Sequence, residues 1–354
     1  MLGFKRVWLV MMAIVSFVCA GVFSDGNSAQ AATATNNVGY NVSAKLPSNQ
    51  INKNNSFFDL RMNSNETQKL QVRVYNVTNE EINVKTAIHT AWTGSAGAID
   101  YVNAAKSYDP SLRYKMSDIT KIQGKQTITI PAKGSRLVTA KVNIPKTNFN
   151  GVILGGWYFQ RVDDKVTGTV KGAGNLKSRY SYVIGMKYTM GRVPNPSMSL
   201  GKVSAGLSNY HRGVIANIRN TTAVMIPNLK TTTTITNRDG GEVVQKAKQE
   251  NVQMAPNTTY SYPMLYGKTA LEAGHYHLHM VVKNTDHEWV FDRNFTITKA
   301  QADKYNKNSV DNQGLNIWLL VALGALGMLI LVLLILLIIY LIRRKRRKDD
   351  EEEE

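Results

Sequence analysis

Apolar and polar residues alternate along most of this chain, and the alternation gives way to other patterns near each end. Leu70, Val72 and Val74 alternate with Gln71 and Arg73, and Val138, Ala140, Val142 and Ile144 alternate with Thr139, Lys141 and Asn143. Tyr276, Leu278, Met280 and Val282 alternate with His275, His277 and His279. A period of two places one set of side chains on a core face and the other in solvent, as in a half-buried strand. Thr231 to Thr236 adds a β-branched run. Turn signals such as Asn63-Ser64-Asn65, Ala132-Lys133-Gly134, Asp239-Gly240-Gly241 and Ala255-Pro256-Asn257 separate the runs. Many short strands at this spacing predict a mainly β protein built of immunoglobulin-like β-sandwiches.

Two stretches depart from the pattern. Ser95 to Lys121 lacks clean alternation and predicts a long loop or a helical turn. The Gly-, Lys- and Thr-rich residues 163–179 read as a long hairpin loop, because Tyr180 to Tyr188 resumes the strand pattern. Val193-Pro194-Asn195-Pro196 is the better domain boundary. Two sandwiches in tandem are therefore expected, at 32–192 and 193–298, followed by a polar stalk at 299–316. As a flexible coil, that stalk would span about 24 Å.

The ends carry targeting signals. Lys5 and Arg6 precede an uncharged apolar stretch, Val7 to Ala20, and Ala29-Gln30-Ala31 is an A-x-A site. Residues 1–31 are read as a signal peptide cleaved after Ala31. Ile317 to Ile342 is a run of 26 residues with no charge and no Ser, Thr, Asn, Gln or Pro. As a helix it would be about 39 Å long, enough to cross a bilayer with some tilt. Arg343, Arg344, Lys345, Arg346, Arg347 and Lys348 follow directly, so the tail 343–354 is expected in the cytoplasm and the sandwiches outside. The chain is thus expected to be a single-pass membrane protein.

Composition sharpens this picture. The lone cysteine, Cys19, falls in the signal peptide, so the mature chain has no disulfide. That suits a Gram-positive surface protein better than a small eukaryotic ectodomain. The net charge is +18. Residues 32–192 hold 22 basic and 9 acidic side chains, whereas 193–316 hold 13 and 9. Such an excess on the first half favours anionic partners. An extracellular location argues against nucleic acid and points to wall polymers.

Candidate chemistry is sparse. There is no G-x-S-x-G, no H-E-x-x-H and no cysteine in the mature chain, so a hydrolase has no nucleophile or zinc motif to stand on. His275, His277 and His279 share one strand face, but no Asp, Glu or Cys close in sequence supplies a further ligand. They are read as a solvent face, and no metal or other cofactor is expected. Gly155-Gly156-Trp157-Tyr158-Phe159 offers Trp157 and Tyr158 as weak candidates for stacking on sugar rings, against the alternative of a strand with a half-buried Trp.

Several segments, taken in order, resemble the WxL-interacting proteins of Gram-positive bacteria. They are Phe57-Phe58-Asp59-Leu60 with Asn63 to Asn76, Ile99-Asp100-Tyr101, and Phe149 to Trp157, the most recognisable. In the second half they are Leu271 to Tyr276, and Trp289 to Phe291 leading to Phe295-Thr296-Ile297. The resemblance implies a peptidoglycan-binding domain followed by a host-protein-binding domain. It further implies partnership with a WxL-domain surface protein and a host matrix protein as ligand, while the missing catalytic motifs add the expectation of no enzymatic activity. Two alternatives to a binding protein stay open: a membrane-tethered assembly factor whose open, uncharged sandwich edge accepts a strand from a client, and, behind it, a wall-active hydrolase.

Overall fold

The alternating runs form strands, and their apolar sets meet in two cores. The structure is a computed structural model that describes residues 38–162, 180–312 and 317–351. The signal-peptide residues, Ala29 and Ala31 among them, and the loop 163–179 lie outside the described residues.

The first sandwich contains β1 (Tyr40–Lys45), β2 (Phe58–Arg61), β3 (Thr67–Asn76) and β4 (Ile82–Thr90). A short ribbon, β5 (Trp92–Thr93) and β6 (Ile99–Asp100), leads to the helical turn α1 (Met116–Ile119). Then come β7 (Thr120–Ile122), β8 (Thr127–Ile130), β9 (Ser135–Asn143), β10 (Gly151–Arg161) and β11 (Ser181–Met190). One sheet has the order β1-β3-β9-β7 and the other β2-β11-β10-β4-β8. β10 and β11 pair antiparallel from Gly151–Met190 to Gln160–Ser181.

The second sandwich comprises β12 (Met198–Ser208), β13 (His211–Asn220), β14 (Ile226–Asn237), β15 (Val243–Met254), β16 (Thr258–Leu265), β17 (Gly274–Lys283) and β18 (Glu288–Ile297). Its sheets are β12-β13-β16 and β15-β14-β17-β18. The expected boundary at Val193–Pro196 falls between β11 and β12.

Leu70, Val72, Val74, Val138, Ala140 and Val142 all point into the first core, as their spacing predicts. Trp157 stacks between Phe58 and Phe159, with ring centroids 6.4 and 5.6 Å away. Met198, Leu200, Val214, Ile218, Tyr260, Leu278, Met280 and Val282 fill the second core.

The sandwiches are joined firmly. Ala91, Val152, Leu154 and Ala255 form a separate buried cluster across the joint. Val152 N–H donates to the Ala223 carbonyl at 2.8 Å, and Gln253 N–H to that of Gly97 at 2.7 Å. Arg219 holds Asp109 in a two-pronged ion pair, Nε to Oδ2 and Nη2 to Oδ1, both 2.7 Å. Thr259 adds a third bond to Asp109 at 2.6 Å. Burial alone would raise the Asp109 carboxyl, but the bonds from Arg219, Thr259 and Ser111 outweigh it and hold the group well below the usual carboxylate range. The irregular Ser95–Lys121 stretch therefore supplies the joint as well as α1.

The polar stalk is a correction. Residues Lys299–Asn308 form a helix, α2, capped by Thr298, whose side chain accepts from Gln301 N–H while the Gln301 side chain returns the bond. Ala302 is buried and Tyr305 packs against the second core. The segment is helical because a capping box satisfies its first turn, and it docks because two apolar residues on one face find the sandwich. A 3-10 turn at Val310–Asn312 follows.

The final element is α3 (Ile317–Glu351), which carries the basic residues Arg343 to Lys348. Its stretch Val321–Ile342 is long and apolar enough to cross a membrane, and none of it is buried against protein. Met328, Leu329 and Leu331 are each more than half exposed.

Candidate functional site

The outer face of β10 and β11 carries a pair of glycines directly opposite one another, Gly156 and Gly185. A β-carbon on Gly156 would come within 2.8 Å of the Tyr101 carbonyl and of Val183 Cγ1. On Gly185 it would meet the Phe57 ring at 3.6 Å. The missing side chains thus let two segments far apart in sequence lie over the sheet. Gly155, facing inward, makes the same room for Met116 of α1.

Between these segments lies a cavity of about 890 Å³, within the range of ligand pockets. Val183, Gly185 and Leu154 form part of its floor. Asn55 to Phe57 and Asp59 stand on one side, Ile99 to Val102 on the other, and Val42 and Ala44 of β1, with Leu46 just after it, along the edge. Met225 of the second sandwich also lines it.

The lining is mostly apolar, with aromatic rings and a few fixed polar groups. Asp59 is nearly buried and pairs with Lys187 at 3.1 Å. Gln50 accepts from Asp59 N–H and donates to the Phe57 carbonyl, which fixes the wall. The Asp100 carboxylate accepts from the N–H groups of Val102 and Asn103, at 2.7 and 2.9 Å. Trp92 Nε1 donates to the Asn103 carbonyl and so anchors the same loop. The carboxylates that line the cavity are thus occupied in holding its walls, and the arrangement is suited to binding.

The cavity also has backbone on offer. β2 pairs with β11 only from Met186 to Thr189. Among the described residues, Ser181 to Gly185 is paired on its β10 side alone.

The predicted site residues fare unevenly. Trp157 is fully buried, and its Nε1 donates to Thr86 Oγ1 at 2.7 Å. It cannot present a ring to a sugar, because odd-numbered residues of β10 face the core; nor is it half-buried. Tyr158 faces outward and stacks on His89 at 5.3 Å, outside the cavity lining. Phe57, Tyr101 and Tyr182 are the aromatics that do line the cavity. They were missed because nothing local says that they converge.

The histidines do share an exposed face, and a neighbouring acid exists after all. The register of β17 and β18 sets His279 opposite Asp292 and His277 opposite Asn294. Asp292 Oδ1 lies 3.0 Å from His277 Nε2 and 2.9 Å from His279 Nδ1. His275 bonds to Thr296 at 3.1 Å. Among the described residues, no group of three or more His, Cys, Asp or Glu is arranged to hold a metal ion.

Comparison with known proteins places this architecture. Residues 40–161 match the family described as WxL Interacting Protein, peptidoglycan binding domain, and residues 171–307 match WxL Interacting Protein, host binding domain. The chain belongs to the WxL-interacting proteins. Its domains are thus of binding families, in the expected order. The second family match begins before β11, although that strand belongs to the first sandwich. No protein with a curated description matches the chain. Among solved structures, the WxL-interacting chain is similar to the YadV chaperone, at 11% identity over 73% of this chain and 99% of that one, with a TM-score of 0.27. It is similar also to the E. coli chaperone DraB, at 13% identity over 73% and 96%, with a TM-score of 0.28. Of the first-half segments that carry the resemblance, 57–60 and 99–101 each line this cavity and 149–157 reaches it through Leu154, whereas 63–76 does not.

Proposed function

We propose that this protein is a non-enzymatic, single-pass surface protein that ties the membrane to peptidoglycan and to protein partners. The first sandwich takes peptidoglycan in the cavity between Phe57 and Tyr101. The observation that carries this reading is the meeting of Phe57, Tyr101 and Tyr182 on that cavity, with rings that can stack and polar groups already oriented. The second sandwich offers a flat, polar, histidine-bearing sheet, a shape suited to a large protein partner such as a host matrix protein. A WxL-domain surface protein is the further partner that the family name implies. α3 anchors the protein, with Arg343 to Lys348 on the cytoplasmic side and the sandwiches outside, after cleavage behind Ala31.

The test is co-sedimentation of the two-sandwich ectodomain with purified peptidoglycan, with and without teichoic acid. The sandwiches are kept together because cutting between them would expose the apolar joint. Binding through the cavity should persist to about 0.5 M salt, where charge attraction beyond a few ångströms is screened. It should weaken about tenfold in Tyr101→Ala, a loss equivalent to roughly 1.4 kcal/mol. Binding that needs teichoic acid and vanishes with salt would reduce the first domain to a basic surface.

One observation favours a second reading, strand capture. Ser181 to Gly185 is uncharged and, among the described residues, is paired on one side only, which is what a client strand needs. Photo-crosslinking from position 183 in whole cells separates the two: crosslinks to a protein support strand capture, and crosslinks to wall fragments support the first reading.

A further inference from the structure

At the end of β13 away from the domain joint, a tight turn at Asn209-Tyr210 links β12 to β13. Both residues are left-handed, with φ of 48° and 65°. Such a turn favours glycine at its second position, and a bulky side chain there is strained. Tyr210 is nonetheless an aromatic residue with 72% of its surface exposed, so the fold keeps a strained ring that its core does not use.

The chain itself shows what lies beside that ring. The Val310 N–H donates to the Tyr210 carbonyl at 3.1 Å. Asp311 binds His211 Nδ1 at 2.7 Å and accepts from Arg212 N–H at 3.2 Å. Arg212 in turn reaches the carbonyls of Gly267 and Lys268, each at 3.0 Å. The hairpin turn, the 266–268 loop and the end of α2 are therefore one rigid tip, not a free stalk. From Asn312 to Ile317, where α3 begins, there are five residue steps. Fully extended, these reach at most about 18 Å.

We propose that this tip rests on the headgroup layer of the bilayer that holds α3, with Tyr210 inserted at the membrane–water boundary. The proposal rests on the reading that α3 spans the membrane. Given that reading, the tether keeps the tip within a short reach of the lipid. An exposed tyrosine has the apolar body and polar end that this boundary selects. Val310, bonded to the Tyr210 carbonyl, adds exposed apolar surface beside it. Lys268 and Lys307, also exposed, suit anionic headgroups. The ectodomain would then stand on the membrane in a fixed pose, with the peptidoglycan cavity held beyond the length of the second sandwich.

The experiment uses the full chain in nanodiscs of phosphatidylglycerol and phosphatidylcholine, in a Cys19→Ser background. An environment-sensitive fluorophore is placed at Thr269→Cys in the tip, Lys125→Cys in the first sandwich, or Leu323→Cys in α3. Quenching by lipids spin-labelled at the headgroup should be strong at 269 and absent at 125. Deep acyl-chain quenchers should report 323. Tyr210→Gly, which relieves the left-handed strain, should keep or raise the melting temperature yet lower quenching at 269 about twofold, and Tyr210→Trp should preserve it. Quenching at 323 with none at 269 overturns the proposal and leaves the membrane anchor standing. Failure at both positions overturns the proposal together with the anchor. Unchanged quenching at 269 in Tyr210→Gly overturns the role of the ring.

Discussion

The two sandwiches present outward sheet faces of opposite character. In the first, Gly156 and Gly185 lack side chains, the neighbouring segments stand over the gap, and a cavity results. In the second, β14, β17 and β18 set Thr234, His279 and Asp292 side by side in one row, and side chains cover the face there. A hollow selects a ligand that can enter it, whereas a flat face selects a partner broad enough to cover it. The same fold thus serves two kinds of binding through the presence or absence of β-carbons on one sheet.

The largest expected effect separates the two sides of β10. Trp157→Ala removes the largest buried side chain of the first core and should cost about 3–5 kcal/mol, with the Thr86 hydroxyl left unpaired. Chemical denaturation of the ectodomain checks this. If Trp157 instead contacted ligand, stability would change little and peptidoglycan binding would fall on its own.

Next comes the joint that brings Met225 to the cavity. Asp109→Ala strips Arg219 and Thr259 of their acceptor and should cost roughly 1–3 kcal/mol, seen as separate melting of the two sandwiches in calorimetry. The pH dependence has a definite sign. Because the folded carboxyl is held below its ordinary value, its contribution is present above about pH 4 and is lost as pH falls through the lowered folded value. The joint should therefore stay closed across mildly acidic conditions in the wild type.

Filling the hollow tests the comparison most directly. Gly156→Ala places a β-carbon 2.8 Å from the Tyr101 carbonyl. It should push that loop away at a cost of about 1–3 kcal/mol, and weaken peptidoglycan binding more than it weakens the fold. Thr234→Ala on the flat face should change neither measurably.

Much of this fold is legible in the sequence, for a physical reason. Leu70, Val72 and Val74 sit on a sheet with one wet face, so burial writes itself as alternation. Val152 to Phe159 is covered on both faces for much of its length and therefore reads as a continuous apolar run. Nothing in it tells which side Trp157 takes. Helix α2 hides for the opposite reason: its residues are nearly all polar, and only the Thr298–Gln301 capping box marks it. The cavity and the joint are least legible of all. Phe57, Tyr101 and Gly185 meet through tertiary pairing, as do Asp109 and Arg219, and no periodicity encodes such meetings.

The smallest expected effect concerns the flat face. Asp292 lies across the ladder from His279 and diagonal to His277, positions that β-strand pairing brings together although they are 13 and 15 residues apart. The hydrogen bond from His279, with that from His277, lowers the Asp292 carboxyl. The group is solvent-exposed, so water and salt discount the pairing, and Asp292→Asn should cost less than about 0.5 kcal/mol. The little stability that Asp292 supplies exists above its unfolded value near pH 4 and disappears as pH falls through its lowered folded value. The difference in melting temperature between wild type and Asp292→Asn should therefore shrink toward zero below that pH, and also in 1 M salt. A large, salt-resistant difference would mean that this face is held as tightly as the cavity walls, and the contrast between a built hollow and a plain flat surface would no longer describe the molecule.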